Sequence, residues 1–205
     1  MSSRQTKPKS ANLVVMSAFV VLLAILFRSA YASPSVHVVT AYGNAQIDTA
    51  QNKFGGASGL FDGTGDYLSL VDSDDWNFGT GDFTIDFWVR FNALPAASGT
   101  QTFLAQGPDD SNYWRLILYN NAGTYMWFFQ NRVSASYTIN IGRNSPGLST
   151  SMWYHVAISR SGSSWYMFQG GTQCGTVGTD ADPISDWTAS LYVGIHVDGS
   201  SAPHT

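Results

Sequence analysis

From Phe83 onward the apolar residues fall on every second position: Phe83, Ile85, Phe87, Val89, Phe91. Thr84, Asp86 and Arg90 alternate with them, and Trp88 sits among the polar set. A period of two held across this run predicts a strand with one face in a core. Shorter segments of the same kind follow along the chain. Val36–Thr40, Gly59–Phe61 and Tyr67–Leu70 precede the central strand, with Asp62-Gly63-Thr64-Gly65 as a turn. Gln101–Gln106, Tyr113–Tyr119, Tyr125–Gln130 and Ser136–Ile141 come after it. Trp153–Arg160 and Trp165–Gln169 form a hairpin around Ser161-Gly162-Ser163, and Thr172–Val177 and Leu191–Ile195 complete the series. No segment after residue 32 carries a sustained apolar stripe of helical period. Many short strands with turn signals between them predict an all-β, antiparallel two-sheet β-sandwich. Phe83, Ile85, Phe87, Tyr154, Val156 and Ile158 are the expected core, each contributing about 1.5–3 kcal/mol on burial.

The start of the chain follows a different pattern. Arg4, Lys7 and Lys9 precede an apolar run from Leu13 to Phe27, and Ala30-Tyr31-Ala32 supplies small residues at alternate positions. That order reads as a secretory signal peptide, a hydrophobic helix over residues 1–32 cleaved after Ala32. The rival reading is an uncleaved membrane anchor, although the run falls short of the roughly 20 residues that span a bilayer. Both readings export residues 33–205, which are long enough for one domain with its own core.

Beyond residue 32 the basic residues are Lys53 and five arginines, set against fourteen acids, for a net charge of −8. This balance excludes nucleic acid and anionic membrane surfaces as partners, since both select basic patches. Membrane contact enters only if the first segment stays uncleaved. Every acid is Asp; there is no Glu. Asp and Gly favour turns where Glu favours helices, which strengthens the all-β reading. Cys174 is the only cysteine, so no internal disulfide forms, and it is expected as a small buried apolar residue.

Lys53-Phe54-Gly55-Gly56-Ala57-Ser58-Gly59-Leu60-Phe61-Asp62-Gly63, continued by Gly81-Asp82-Phe83-Thr84-Ile85-Asp86-Phe87-Trp88, resembles the front half of laminin-G-like, concanavalin-A-like jelly-roll domains. Trp153-Tyr154-His155-Val156-Ala157 is similar to that family's W-x-H-V-A strand, and Leu191-Tyr192-Val193-Gly194 to its penultimate L-x-I-G strand. The resemblance covers about residues 38–200 and implies a jelly roll whose members mostly bind glycans or proteins. The family's leucine-rich opening strand and its closing G-x-I-D-E-x-R-like strand have no counterpart here. A sandwich without them is expected to show an open sheet edge that invites pairing with another chain.

Three kinds of site are weighed. Sugars dock on exposed aromatic faces beside hydrogen-bonding groups. Trp88, Trp114 and Trp127, which parity sets off the core, are the candidates, with Arg90 and Arg115 close by. Calcium needs several hard oxygens in a loop. Gly107–Asn112 is oxygen-rich, and the resemblance, through relatives such as the pentraxins, implies Asp109, Asp110 and Asn112 as ligands of Ca²⁺. Asp72–Asp75 reads as a cap or solvated loop. Glycoside hydrolysis of the retaining kind needs two carboxyls about 5 Å apart. Asp82 and Asp86, four residues apart on a strand, are roughly 13 Å apart by rise. His37, His155, His196 and His204 lack zinc-ligand spacing. The expected function is therefore exported, non-catalytic recognition of a carbohydrate or cell-surface protein. A structural role in an envelope or phage-like particle, through self-association of an exposed edge, comes second, and a glycoside hydrolase third.

Overall fold

A computed structural model describes residues 36–197, together with the backbone of two outlying strands, Asn12–Met16 and Pro203–His204. In chain order the strands are β1 (Asn12–Met16), β2 (Val39–Tyr42), β3 (Gln46–Asp48), β4 (Ser58–Leu60), β5 (Tyr67–Leu70) and β6 (Phe83–Arg90). Next come β7 (Thr100–Asp109), β8 (Asn112–Asn121), β9 (Thr124–Val133), β10 (Ser136–Asn144), β11 (Trp153–Ser161) and β12 (Ser164–Gln169). The short β13 (Thr172–Gln173), β14 (Gly178–Thr179), β15 (Leu191–Val193), β16 (His196–Val197) and β17 (Pro203–His204) finish the set. A 3₁₀ turn at Asp74–Trp76 is capped by Ser73, whose hydroxyl accepts from Asp75 N, so the Asp72–Asp75 cluster is a capped turn.

The strands build a seven-stranded sheet in the order β10-β9-β8-β7-β15-β5-β2 and a smaller sheet in the order β1-β6-β11-β12-β13, with β14 also on β12. The smaller sheet buries one side of β6, where Phe83, Ile85, Phe87 and Val89 are buried and their neighbours are not. Val156 and Ile158 of β11 lie directly across from Phe87 and Ile85. Between the layers Phe87 meets Trp127 at 6.3 Å, and Phe129 meets Phe83 at 5.9 Å and Trp165 at 5.0 Å between ring centroids. The expected core is found with one exception: Tyr154 is only partly buried, packing at the rim. Cys174 is buried, as expected.

Two indole N–H groups inside this apolar layer are satisfied in the same way. Trp114 Nε1 donates to Gln106 Oε1 at 2.8 Å, and Trp127 Nε1 donates to Gln169 Oε1 at 2.9 Å. Each glutamine then uses its amide N–H to hold a connecting segment: Gln106 donates to the Trp187 and Ala189 carbonyls and to Asp72, and Gln169 to the Gly147 carbonyl. A buried polar group without a partner costs about 1–3 kcal/mol, so these hubs tie loops to the core at no polar penalty. Arg160, only 2% exposed, behaves likewise. Its guanidinium donates to the Gly162 and Gly79 carbonyls and packs on the Trp165 ring.

The N-terminal segment departs from expectation where it is described. Asn12–Met16 forms a strand parallel to β6, with Leu13 opposite Ile85 and Val15 opposite Phe87. A hydrophobic helix over residues 1–32 is therefore not what this piece forms; the remainder of that segment lies outside the described residues. β1 thus pairs with the Thr84–Trp88 stretch of β6 at the edge of the smaller sheet. The expected strand Thr172–Val177 shortens to two residues because Gly175 turns the chain at positive φ. The β3–β4 pair was not foreseen from the sequence.

Candidate functional site

The seven-stranded sheet carries one residue per strand in a straight row on its outward side. Thr40 pairs with Ser69, Ser69 with Tyr192, Tyr192 with Ala105, Ala105 with Arg115, Arg115 with Gln130, and Gln130 with Asn140. Strands lie about 4.8 Å apart, so the row runs for about 29 Å. The flanking residues on these strands, such as Leu68, Leu191, Leu104, Leu116 and Phe129, are the buried core ones, which turns the row outward.

The row changes character along its length. At one end the tyrosines gather: Tyr42 stacks on Tyr67 at 4.5 Å with rings 5° from parallel, and Tyr192 meets Tyr67 edge-on at 5.9 Å. At the other end polar side chains are linked. Arg115 Nε donates to Gln130 Oε1 at 2.8 Å, and Gln130 Nε2 donates to Asn140 Oδ1 at 3.0 Å. Between them, with Tyr192 and Arg115 two strands apart and thus about 9.6 Å from one another, Ala105 is covered: after Gly194 N donates to the Phe103 carbonyl the chain turns back, and Ile195 and His196 are buried, His196 with its ring 4.5 Å from that of Tyr113. On the same side Phe128 lies over β10, where Gly142 gives it room; a Cβ there would clash with the ring.

At the rim, Tyr113 is directly opposite Arg132, and its hydroxyl lies 3.3 Å from that of Tyr137. Burial, then the hydrogen bond to Tyr137, pushes the Tyr113 phenol up to about 12, against a smaller opposing pull from Arg115.

The sequence candidates divide. Arg115 sits at the centre of the row. Trp88 does face outward, on the smaller sheet, but it is covered: Lys53 Nζ lies 4.3 Å over its ring and Phe54 meets it edge-on at 5.6 Å. Its neighbour His155 is 3.3 Å from Asp86. Arg90 is half-buried beside a small hollow with Asp48, Gln51 and Trp153, and its Nη1 donates to Asn92. Trp114 and Trp127 are both 0% exposed and face the core, which corrects the parity assigned to them. The reason lies in β8 and β9, where both parities are rich in apolar residues; the register with Leu116, Leu118 and Phe129 decides which side is inside.

Asp109, Asp110 and Asn112 meet in the tight β7–β8 turn. Asp109 Oδ1 accepts from Ser111 N at 2.8 Å and from Asn112 Nδ2 at 3.0 Å, while Asp110 Oδ1 lies 2.9 Å from His196 Nε2. N–H groups therefore already occupy these carboxylates, and no cluster of three or more His, Cys, Asp or Glu suited to a metal forms among the described residues. A calcium ion here would have to displace those donors. The carboxylates on β6 and just before it are likewise engaged. Asp82 accepts from Gly162 N and lies within reach of Ser161 Oγ, pinning the β11–β12 hairpin, and Asp86 faces His155.

Sequence reasoning missed Tyr192, Ala105, Gln130 and Asn140. They lie on four strands and only register joins them. The one available signal was that Gln130 and Asn140 interrupt apolar stretches at the outward parity.

Two antiparallel sheets packed face to face, with a polar and aromatic row across the outside of the larger one, define a lectin-type jelly roll. The chain belongs to the concanavalin A-like lectin/glucanases superfamily, whose family model matches residues 62–203. Among solved structures it is similar to the binding domain of Paraclostridial Mosquitocidal Protein 1, with a TM-score of 0.58 and 15% identity, covering 82% of this chain and 41% of that one. Domain 4 of AbnA, a GH43 extracellular arabinanase from Geobacillus stearothermophilus solved in complex with arabinotriose, gives a TM-score of 0.56 and 16% identity, covering 82% of this chain and 76% of that domain. The enzymatically active domain of bacteriophage CBA120 tailspike protein 2 gives 0.54 and 14%, covering 87% of this chain but only 28% of that one. At these identities the likeness is one of fold. No curated protein sequence matches the chain.

Proposed function

We propose that this chain is an exported, non-catalytic recognition module that binds carbohydrate on the outward side of its larger sheet. The observation that supports this reading is the in-register row running from Tyr192 past Ala105 to Arg115, Gln130 and Asn140. On one side of the covered Ala105 it offers tyrosine rings for the apolar face of a sugar, and on the other amide and guanidinium groups for its hydroxyls. Domain 4 of the arabinanase, of similar fold, was solved with arabinotriose, which makes short oligosaccharides the first ligands to try. The chain lacks glutamate, and the two aspartates of the central strand hold a hairpin and a histidine, so binding without bond cleavage is the simpler use of this surface. In this reading the segment ending at Ala32 directs export. Calcium, if it acts, acts at the rim on Asp109 and Asp110; a melting temperature raised by millimolar calcium in the wild type and not in Asp109→Ala tests that part.

The decisive experiment is a glycan array probed with the full chain, then with Tyr192→Ala and Trp88→Ala. Binding lost in Tyr192→Ala and kept in Trp88→Ala supports the assignment. Binding that depends on Trp88 alone moves the site to the smaller sheet.

One observation favours a second reading, assembly of a larger particle. Val36 is 91% exposed, Val38 73% and Ile47 64%, beside the edge strand β2. Large apolar side chains grouped at a sheet edge suit association with another chain. Self-association that persists without glycan and is abolished by Val38→Lys supports it.

A further inference from the structure

The β3–β4 hairpin that lays Lys53 and Phe54 over Trp88 leaves a hollow further along the same side of the smaller sheet. One wall is the cross-strand pair Asp48 and Ser58 of the hairpin, with Gln51. The other is the pair Arg90 and Trp153 of β6 and β11, with Asn92. The hollow measures about 30 Å³. That is room for one or two waters, or for one hydroxyl-bearing arm of a larger molecule, and too little for a whole sugar ring.

The polar groups around it are only partly engaged. Ser58 is 4% exposed, yet its hydroxyl meets no hydrogen-bond partner among the described residues. Arg90 donates from Nη1 to Asn92 Oδ1 at 2.7 Å, and its Nε and Nη2 meet no acceptor among the described residues. Asp48 accepts from Ala50 N on Oδ1 at 2.8 Å, which leaves Oδ2. Arg90 and Asp48 line one hollow with opposite charges, and no ion pair joins them among the described residues. A buried polar group without a partner is costly, so the hollow calls for a bridging group from solution.

The chemistry of that group follows from the walls. A guanidinium only donates, a carboxylate only accepts, and a hydroxyl does both. An anion would satisfy Arg90 and be repelled by Asp48; a cation would do the reverse. A neutral hydroxyl satisfies both, because its oxygen accepts from Arg90 or Ser58 while its O–H donates to Asp48. Beside Arg90 the half-buried Trp153 supplies an indole for the apolar face of the ring that carries the hydroxyl. Since the ring itself stays outside, the group that enters must project from its sugar, as it does at a chain end.

We propose that this hollow is a second carbohydrate subsite, which takes a projecting hydroxyl or hydroxymethyl arm from the terminal unit of a neutral glycan. It rests on the reading of the chain as a carbohydrate binder, and not on the row across the larger sheet.

The full chain is titrated calorimetrically with arabinotriose, cellotriose and mannotriose, and with trigalacturonate as the acidic control. The expected result is binding of a neutral trisaccharide that changes little as salt rises. Ser58→Ala should weaken it about fivefold with the melting temperature retained, since that hydroxyl bonds nothing in the protein. Arg90→Gln should weaken it at least tenfold; should that variant fail to fold, Ser58→Ala decides alone. A longer oligomer of the same sugar, at equal mass, should bind less protein in proportion to its fewer ends, and binding in proportion to mass overturns the terminal-unit assignment. Affinity unchanged in Ser58→Ala and Arg90→Gln overturns the proposal. If Tyr192→Ala alone weakens binding, the hollow is not the seat and the larger-sheet reading stands. Trigalacturonate bound with no neutral trisaccharide bound also overturns it. No saccharide bound leaves the hollow to a water and overturns it as well; the glycan array then judges the carbohydrate reading separately.

Discussion

The two sheets present their outward faces in opposite ways. Both carry aromatic and charged residues, and from the sequence the smaller sheet looks the richer, with Trp88, Asp86, Arg90 and His155 close together. In the fold that face is already engaged: Lys53 and Phe54 cover Trp88, and His155 faces Asp86. The larger sheet has no tryptophan on its outward side; its row is covered at Ala105 by the segment that carries Ile195 and His196, yet Arg115 beside it keeps both of its NH2 groups without a protein acceptor among the described residues. An aromatic ring on a surface is a binding element only if nothing of the same chain sits on it first. Availability is a property of neighbours distant in sequence.

The contrast can be tested step by step. The largest effect is expected from the tryptophans taken from surface to core. Trp127→Ala should cost about 3–5 kcal/mol of stability by denaturant unfolding, whereas Trp88→Ala should cost about 1 kcal/mol or less; equal losses would mean that Trp127 is not interior. Next comes the hub behind Trp114. Gln106→Leu strands an indole N–H and two loop carbonyls, and a loss of about 1–3 kcal/mol is expected.

The rim tyrosine gives a pH dependence with a definite sign. Tyr113 has its phenol raised from an ordinary 10.0 to about 12. A raised pKa means that the folded state holds the proton more tightly, so this contribution is complete below pH 10 and is lost as pH climbs toward 12. The melting temperature should fall across that window, and less steeply in Tyr113→Phe.

On the binding face, Tyr192→Ala removes one stacking wall and should weaken glycan binding by about 0.5–1.5 kcal/mol, or roughly three- to tenfold. The smallest effect belongs to the covered face. Lys53→Ala should cost about 0.5–1 kcal/mol and shift the Trp88 fluorescence as water reaches the ring. An increase in glycan affinity on removing Lys53 would reverse the comparison, because it would show that the smaller sheet's face was a site held shut.

The alternation in β6 read correctly because every second residue there is polar or amphipathic, leaving one possible inside. In β8 the run Tyr113, Trp114, Leu116, Ile117, Leu118 is apolar at both parities, so the pattern could not say which way Trp114 points. Arg115 was legible as a candidate through its charge, while Gln130 and Asn140 look like any strand amides until register puts them in line with it.

Composition and periodicity by themselves determined an all-β sandwich, its central strand and most of its core, because burial of alternate apolar side chains is a local consequence of strand geometry. The tertiary structure alone decided which tryptophans are hidden, which carboxylates are already hydrogen-bonded and which seven residues form one row. Those outcomes depend on pairing between strands as distant in the chain as Leu68 and Val193, and a one-residue slip in any register would send each side chain to the opposite face.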